Sequence, residues 1–127
     1  MEVKLESRTH YLHATLIGPL SLEGILQAFQ AAYDVAFGRG SGLILFDCSG
    51  LDGKLSSHDR LTLGESGAAY WSSRSWRITP RIAVVGNAPV IDGFAALVAS
   101  NRGVNALTFS EVQEALDWLG IRQADHS

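Results

Sequence analysis

The hydrophobic pattern of the first forty residues predicts two strands and a helix. Residues 3–7 alternate apolar and polar positions, and residues 10–17 form a second strand pattern that ends at Gly18-Pro19. The short turn between them predicts an antiparallel hairpin. Apolar positions then recur at helical spacing between Ser21, a suitable N-cap, and the glycine-rich stretch 38–42, which ends the helix.

Further along, residues 43–46 and 82–85 are apolar without alternation, which is typical of strands covered on both faces. Ser56 or Ser57 can cap a helix that runs to about Ser72, and Pro89 suits the first turn of a third helix. A short strand at 106–109 follows. A capping box at residues 110–113 then opens a last helix, which Gly120 closes.

This order of elements, β-β-α-β-α-β-α-β-α, predicts an α/β layered domain with a mixed, mostly parallel sheet. The 127 residues fit one domain over 1–127, and we expect the tail at 121–127 to be frayed.

The net charge and the cysteine and histidine content exclude several kinds of partner and binding site. A net charge of -3 gives no basic field for nucleic acid, and one cysteine excludes an internal disulfide or a Cys-rich zinc site. His10 and His13 are predicted to point to opposite faces of a strand, so we expect no metal site. The sequence has no signal core and no run of about 20 apolar residues, which predicts a cytoplasmic protein without membrane insertion.

The candidate functional segment follows the apolar run 43–46. The carboxyl end of that strand is where ligands and partners dock in open α/β sheets. The pattern places four polar residues there, Asp47, Ser49, Ser56 and Ser57, and His58 comes next. Structural roles are the alternatives. Asp47 can accept backbone N–H bonds in its own turn, and the two serines can simply cap the helix.

Several stretches together resemble the SpoIIAA-like (STAS) superfamily, and more narrowly its uncharacterised bacterial branch. They are the run 45–51, the serines at 56–57, the strand 81–86 and the ending 109–119 with its Glu-Ala-x-x-Trp-Leu pattern. The resemblance covers most of the chain. It implies a four- to five-stranded mixed sheet with about four helices.

In the anti-sigma-factor antagonists of that superfamily, an Asp-x-Ser segment leads to an Asp-Ser pair whose serine is phosphorylated. Asp47 and Ser49 match the first part, and Ser56 falls on the phospho-acceptor position, with Leu55 in place of the preceding aspartate. The resemblance thus leaves open both a phosphorylated and an unmodified segment. The branch is also likened to lipid-carrying CRAL-TRIO domains, which implies an apolar ligand as an alternative.

Other side chains have competing interpretations. Tyr70, Trp71 and Trp76 lie among serines and arginines, which predicts either an interface or ligand groove, or a tryptophan packed on the sheet. Cys48 is expected to be a buried, inert thiol rather than a nucleophile. The polar cluster of His58, Asp59, Arg60 and Glu65 is expected to form a solvated helix face rather than an acid–base site.

We therefore expect a non-catalytic regulatory or protein-interaction module that acts through the segment 47–57. It would have no cofactor and would form a homodimer. A carrier or sensor of a small apolar ligand or lipid is the alternative, and a small hydrolase is the least favoured.

Overall fold

A computed structural model describes residues 1–73 and 81–121 of the chain. In these residues five strands and four helices follow the predicted order. They are β1 (Glu2–Ser7), β2 (Leu12–Pro19), α1 (Leu22–Arg39), β3 (Leu43–Asp52), α2 (Ser57–Ser72), β4 (Arg81–Val85), α3 (Phe94–Asn101), β5 (Asn105–Phe109) and α4 (Val112–Leu119).

The strands form one mixed sheet in the order β1-β2-β3-β4-β5. β1 pairs antiparallel with β2, with Glu2 opposite Ile17, and this confirms the predicted hairpin. The remaining neighbours pair in parallel, each pair joined through a helix. The predicted α/β architecture with a mostly parallel sheet is therefore confirmed.

Helices cover the two faces of the sheet unequally. Three helices, α1, α2 and α3, enclose the larger core on one face, around Ile44, Phe46 and Val84. On the other face α4 packs against Leu45 and Ala83. The middle strands are consequently buried on both sides, which is why their sequences lack alternation.

β3 is longer than the apolar run that predicts it. Its pairing with β4 ends where Asp47 lies opposite Val85, but the strand continues beside β2 to Asp52 after a register shift. The strand predicted from residues 43–46 therefore continues six residues further, to Asp52. Asp47 is the last residue of β3 that pairs with both β2 and β4, and residues 48–52 extend beyond it beside β2.

Two helix caps follow the sequence closely. The Ser21 hydroxyl accepts a hydrogen bond from the backbone N–H of Gly24 at 3.1 Å. At the other end of α1, Gly40 takes a left-handed conformation with φ of 70°, which glycine adopts without a Cβ penalty. Both ends of α1 are thus determined by local chemistry.

The starts of the last two helices differ from the prediction. Pro89 lies before α3 in a separate turn, in which the Ile91 N–H bonds the Asn87 carbonyl at 2.9 Å, so it does not open the helix. The predicted capping box at 110–113 is also wrong, because Glu111 is the N-cap of α4 and makes no side-chain cap bond. Ser110 instead donates from its hydroxyl to Glu114 Oε1 at 3.1 Å.

Candidate functional site

Asp47 and Ser49 form a local pair on the extension of β3. One carboxylate oxygen of Asp47, Oδ1, accepts the backbone N–H of Ser49 at 3.1 Å and the hydroxyl of Ser49 at 2.6 Å. The half-buried carboxylate thus holds its own backbone, as the structural alternative predicted. Ser49 itself is exposed, and the pair presents polar oxygens at the sheet edge.

The second part of the segment is the N-terminus of α2. Ser56 is the N-cap, and its hydroxyl accepts the Asp59 backbone N–H at 3.0 Å. Ser57 begins the helix, and its exposed hydroxyl oxygen lies 3.4 Å from a guanidinium nitrogen of Arg60. His58 is also exposed. The structure therefore separates the two serines, since Ser56 has a structural role and Ser57 does not form the cap.

Leu55, which comes directly before the N-cap of α2, is only 6% exposed and packs in the larger core. An apolar side chain at this position anchors the end of the loop under α2. In this chain, position 55 therefore presents no charged group to a partner, and the surface of the segment is formed by its neighbours.

Arg60 connects this segment to the start of α3. Its guanidinium forms a close ion pair with Asp92, and its Nε lies 3.4 Å from the Ser56 carbonyl oxygen. Asp92 in turn accepts the backbone N–H of Phe94 at 3.0 Å. A solvated face was expected for Arg60. The pairing with Asp92 was not predicted, because no local signal relates Arg60 to a residue 32 positions away.

The cysteine that a hydrolase would use as its nucleophile is buried. Cys48 is 1% exposed, and burial, with a smaller effect of Asp47, raises the pKa of its thiol to about 12. A thiol that stays protonated at neutral pH is a poor nucleophile. Glu65, from the same polar cluster, pairs with Arg102 on α3. Within the described ranges no group of three or more His, Cys, Asp or Glu side chains is arranged to hold a metal ion.

The aromatic candidates occupy different environments. Trp71 is 3% exposed, and its ring packs edge-on against Tyr33 with 4.4 Å between the ring centroids. Its helical phase, shared with the buried positions of α2, was a sequence signal for this burial. Tyr70 is half-buried and donates to Asp34 at 2.6 Å, and its interface role stays a prediction. Trp76 lies outside the described residues.

A cavity of about 60 Å³ lies between the sheet and the helices α1, α2 and α3. Its lining from α2, which includes Leu63 and Gly67, precedes Tyr70 and Trp71, where a ligand groove was one expectation. Ligand pockets for drug-sized molecules measure about 300–1,000 Å³. This cavity is several times smaller than such a pocket.

The part of the chain that the structure describes contains no helix with the length and apolar character needed to span a bilayer.

Comparison with solved structures identifies the fold. An anti-sigma factor antagonist from Mycobacterium paratuberculosis matches over 94% of this chain and 93% of its own, with 14% identity and a TM-score of 0.62. The anti-sigma factor antagonist SpoIIAA in its unphosphorylated form matches over 94% of this chain and 98% of its own, with 15% identity and a TM-score of 0.55. The chain therefore has the SpoIIAA-like fold that the sequence motifs predicted.

An uncharacterized protein with a SpoIIAA-like fold from Shewanella loihica PV-4 is 24% identical, with coverage of 93% of this chain and 92% of that chain and a TM-score of 0.49. No protein-family model matches the sequence, and no curated protein is significantly similar to it.

Proposed function

We propose that this SpoIIAA-like chain is a cytoplasmic, non-catalytic regulatory module that binds a partner protein through the segment 47–57 and the first turn of α2. The observation that carries the proposal is the position of this segment. It lies at the carboxyl edge of a parallel sheet, where docking is common in α/β folds, and it exposes Ser49, Ser57 and His58.

The buried Cys48 thiol and the paired Asp47–Ser49 hydroxyl support a binding role over a catalytic one. Two solved structures with this fold are anti-sigma factor antagonists. We therefore propose an anti-sigma factor as the class of partner for this chain. Its contact surface would include the hydroxyl of Ser57 and the imidazole of His58.

A pair of charge substitutions on α2 tests this surface. Ser57→Arg places a bulky cation at the proposed contact, whereas Ser72→Arg makes the same change at the exposed far end of the helix. Binding to a purified anti-sigma factor is measured by isothermal titration calorimetry. We expect Ser57→Arg to weaken binding about tenfold or more and Ser72→Arg to leave it nearly unchanged. Equal affinities for the two variants would refute the proposed surface.

Phosphorylation of the segment is a separate part of the proposal. Incubation with an anti-sigma factor kinase and ATP, followed by mass spectrometry, locates any phosphate at Ser56 or Ser57. Ser56→Asn removes one hydroxyl but keeps a good N-cap acceptor, and Ser57→Ala removes the other. If phosphate incorporation is lost in only one of these variants, the serine replaced in that variant is the phosphate acceptor. If no phosphate is incorporated, the module is a binder without this switch.

We also propose that the chain forms a homodimer. Leu97 on α3 and Leu107 on the edge strand β5 are 57% and 45% exposed, and we propose these two side chains as part of the dimer contact. Size-exclusion chromatography with light scattering distinguishes a mass of 13.7 kDa from twice that value. A monomer at high micromolar concentration would refute the dimer without affecting the proposed partner site.

A further inference from the structure

The cavity between α1, α2, α3 and the sheet has an almost entirely apolar lining. The sheet contributes Ile82 and Val84, and α3 contributes Ala96 and Ala99. The charged residues in the lining are Arg60 and Asp92, and their side chains are 17% and 32% exposed. The cavity thus approaches solvent at the ion pair that joins the starts of α2 and α3.

Gly67 in the middle of α2 keeps part of this volume open. A Cβ at this position would meet only the Tyr33 hydroxyl, at an ordinary distance of 3.5 Å. Gly64, one turn earlier, is different, because its Cβ would come within 2.6 Å of the Ala95 carbonyl oxygen. Close helix packing therefore requires glycine at 64 but not at 67, although glycine in a helix interior is unfavourable. An alanine at 67 would fit sterically, and it would fill cavity space.

Tyr33 supplies a hydrogen-bond donor to the same space. Its ring centroid lies 4.4 Å from that of Trp71 and 6.1 Å from that of Phe46, and this packing fixes the direction of the hydroxyl. The hydroxyl lies beside Gly67, and both residues line the cavity. Burial raises the pKa of Tyr33 well above its ordinary value, so the hydroxyl keeps its proton at neutral pH. A molecule in the cavity can thus accept a hydrogen bond from the Tyr33 hydroxyl, and its other contacts are mainly with apolar side chains.

We propose that this cavity binds a small, mainly apolar molecule with one acceptor oxygen, of the class of short-chain ketones, which accepts a hydrogen bond from Tyr33. The volume sets the size. One water-sized atom needs about 10–15 Å³, and about 150 Å³ accommodates benzene, so a cavity of about 60 Å³ holds only a few non-hydrogen atoms. The inference is independent of the partner site on segment 47–57.

Acetone is the probe, titrated into the full chain and followed by NMR of the alanine methyl groups. Ala96 and Ala99 report on the cavity, and Ala115, in the core on the other face of the sheet, is the control. For so few atoms we expect a Kd on the order of millimolar. Saturable shifts are expected at the first two methyl groups and not at Ala115.

Two variants test the volume and the donor separately. Gly67→Ala adds a methyl group to the cavity and is expected to weaken acetone binding about tenfold, because the site is already small. Tyr33→Phe keeps the volume and is expected to weaken acetone binding about fivefold through loss of one hydrogen bond. Xenon, which has no acceptor, should bind the wild type and Tyr33→Phe equally well.

Three results would overturn the proposal. The first is the absence of saturable acetone shifts in the wild type. The second is equal acetone binding by the wild type and Gly67→Ala. The third is an ordered water on the Tyr33 hydroxyl that acetone does not displace, which would make this a hydration site only. A thermal melt of each variant shows that it is folded, so that lost binding reports on the cavity.

Discussion

Gly64→Ala and Gly67→Ala make the same chemical change on one helix, one turn apart, and should alter stability in opposite directions. Both substitutions gain about 1 kcal/mol of helix propensity. At Gly67 the new methyl group contacts only the Tyr33 hydroxyl at 3.5 Å, so the gain is kept. Burial of the methyl group adds up to about 0.8 kcal/mol. We expect Gly67→Ala to raise the free energy of unfolding by about 1–2 kcal/mol.

At Gly64 the same methyl group would lie 2.6 Å from the Ala95 carbonyl oxygen and 2.7 Å from Val98 Cβ. The first neighbour is backbone, so relief requires α3 to move away by about 0.8 Å to an ordinary 3.4 Å contact. Overpacking of this kind costs about 1–3 kcal/mol, which offsets or exceeds the propensity gain. We expect Gly64→Ala to lower the free energy of unfolding by up to about 2 kcal/mol.

Urea denaturation of the wild type and both variants, monitored by circular dichroism, measures the two effects. The slopes of the unfolding transitions should agree, so that the midpoints alone report stability. Each kcal/mol corresponds to about 3–5 °C in Tm for a chain of this length. A stabilised Gly64→Ala would refute the close packing of α2 on α3, and a Gly67→Ala variant less stable than the wild type would refute the open space beside Tyr33.

Three further predictions concern single side chains. Ser56→Ala should lower stability by about 1 kcal/mol in urea denaturation, because the Asp59 N–H loses its cap acceptor, whereas Ser56→Asn should be nearly neutral. Cys48 should react with a thiol reagent at neutral pH only after unfolding, since burial raises the pKa of the thiol to about 12, and rapid labelling of the native protein would contradict this. Burial, reinforced by Arg8, lowers the pKa of His13 below its usual 6.5 in the folded state, so the unfolded chain binds more protons there. Stability should therefore fall as the pH drops below about 6.5. His13→Asn should show a smaller loss in the same titration.

The order of the elements could be predicted because each one carries its own local signal. The apolar runs of β3 and β4 lack alternation since helices cover both faces, and Ser21 and Ser56 cap their helices through bonds to the third residue on. Where the prediction failed, a distant contact decided the outcome. β3 continues to Asp52 because β2 remains available to pair with it. The residues of β3 carry no sequence signal that predicts this pairing.

The candidate site divides in the same way. The Asp47–Ser49 pair and the Ser56 cap were foreseeable, because each bond joins residues two or three apart in sequence. The ion pair of Arg60 with Asp92 joins residues from different loops, and the burial of Trp71 depends on Tyr33 from another helix. Local patterns indicate which groups are present, but only packing brings these groups together.

By itself, then, the sequence determined the succession of strands and helices, the polar segment at the end of β3, and the motifs of the SpoIIAA-like fold. The tertiary structure alone decided that Leu55 is buried, that Arg60 reaches α3, and that Gly64 and Gly67 have different surroundings. The physical reason is the range of the interactions. Periodicity and capping act within one or two helical turns, whereas contacts, cavities and close helix approaches depend on segments that only the folded sheet holds side by side.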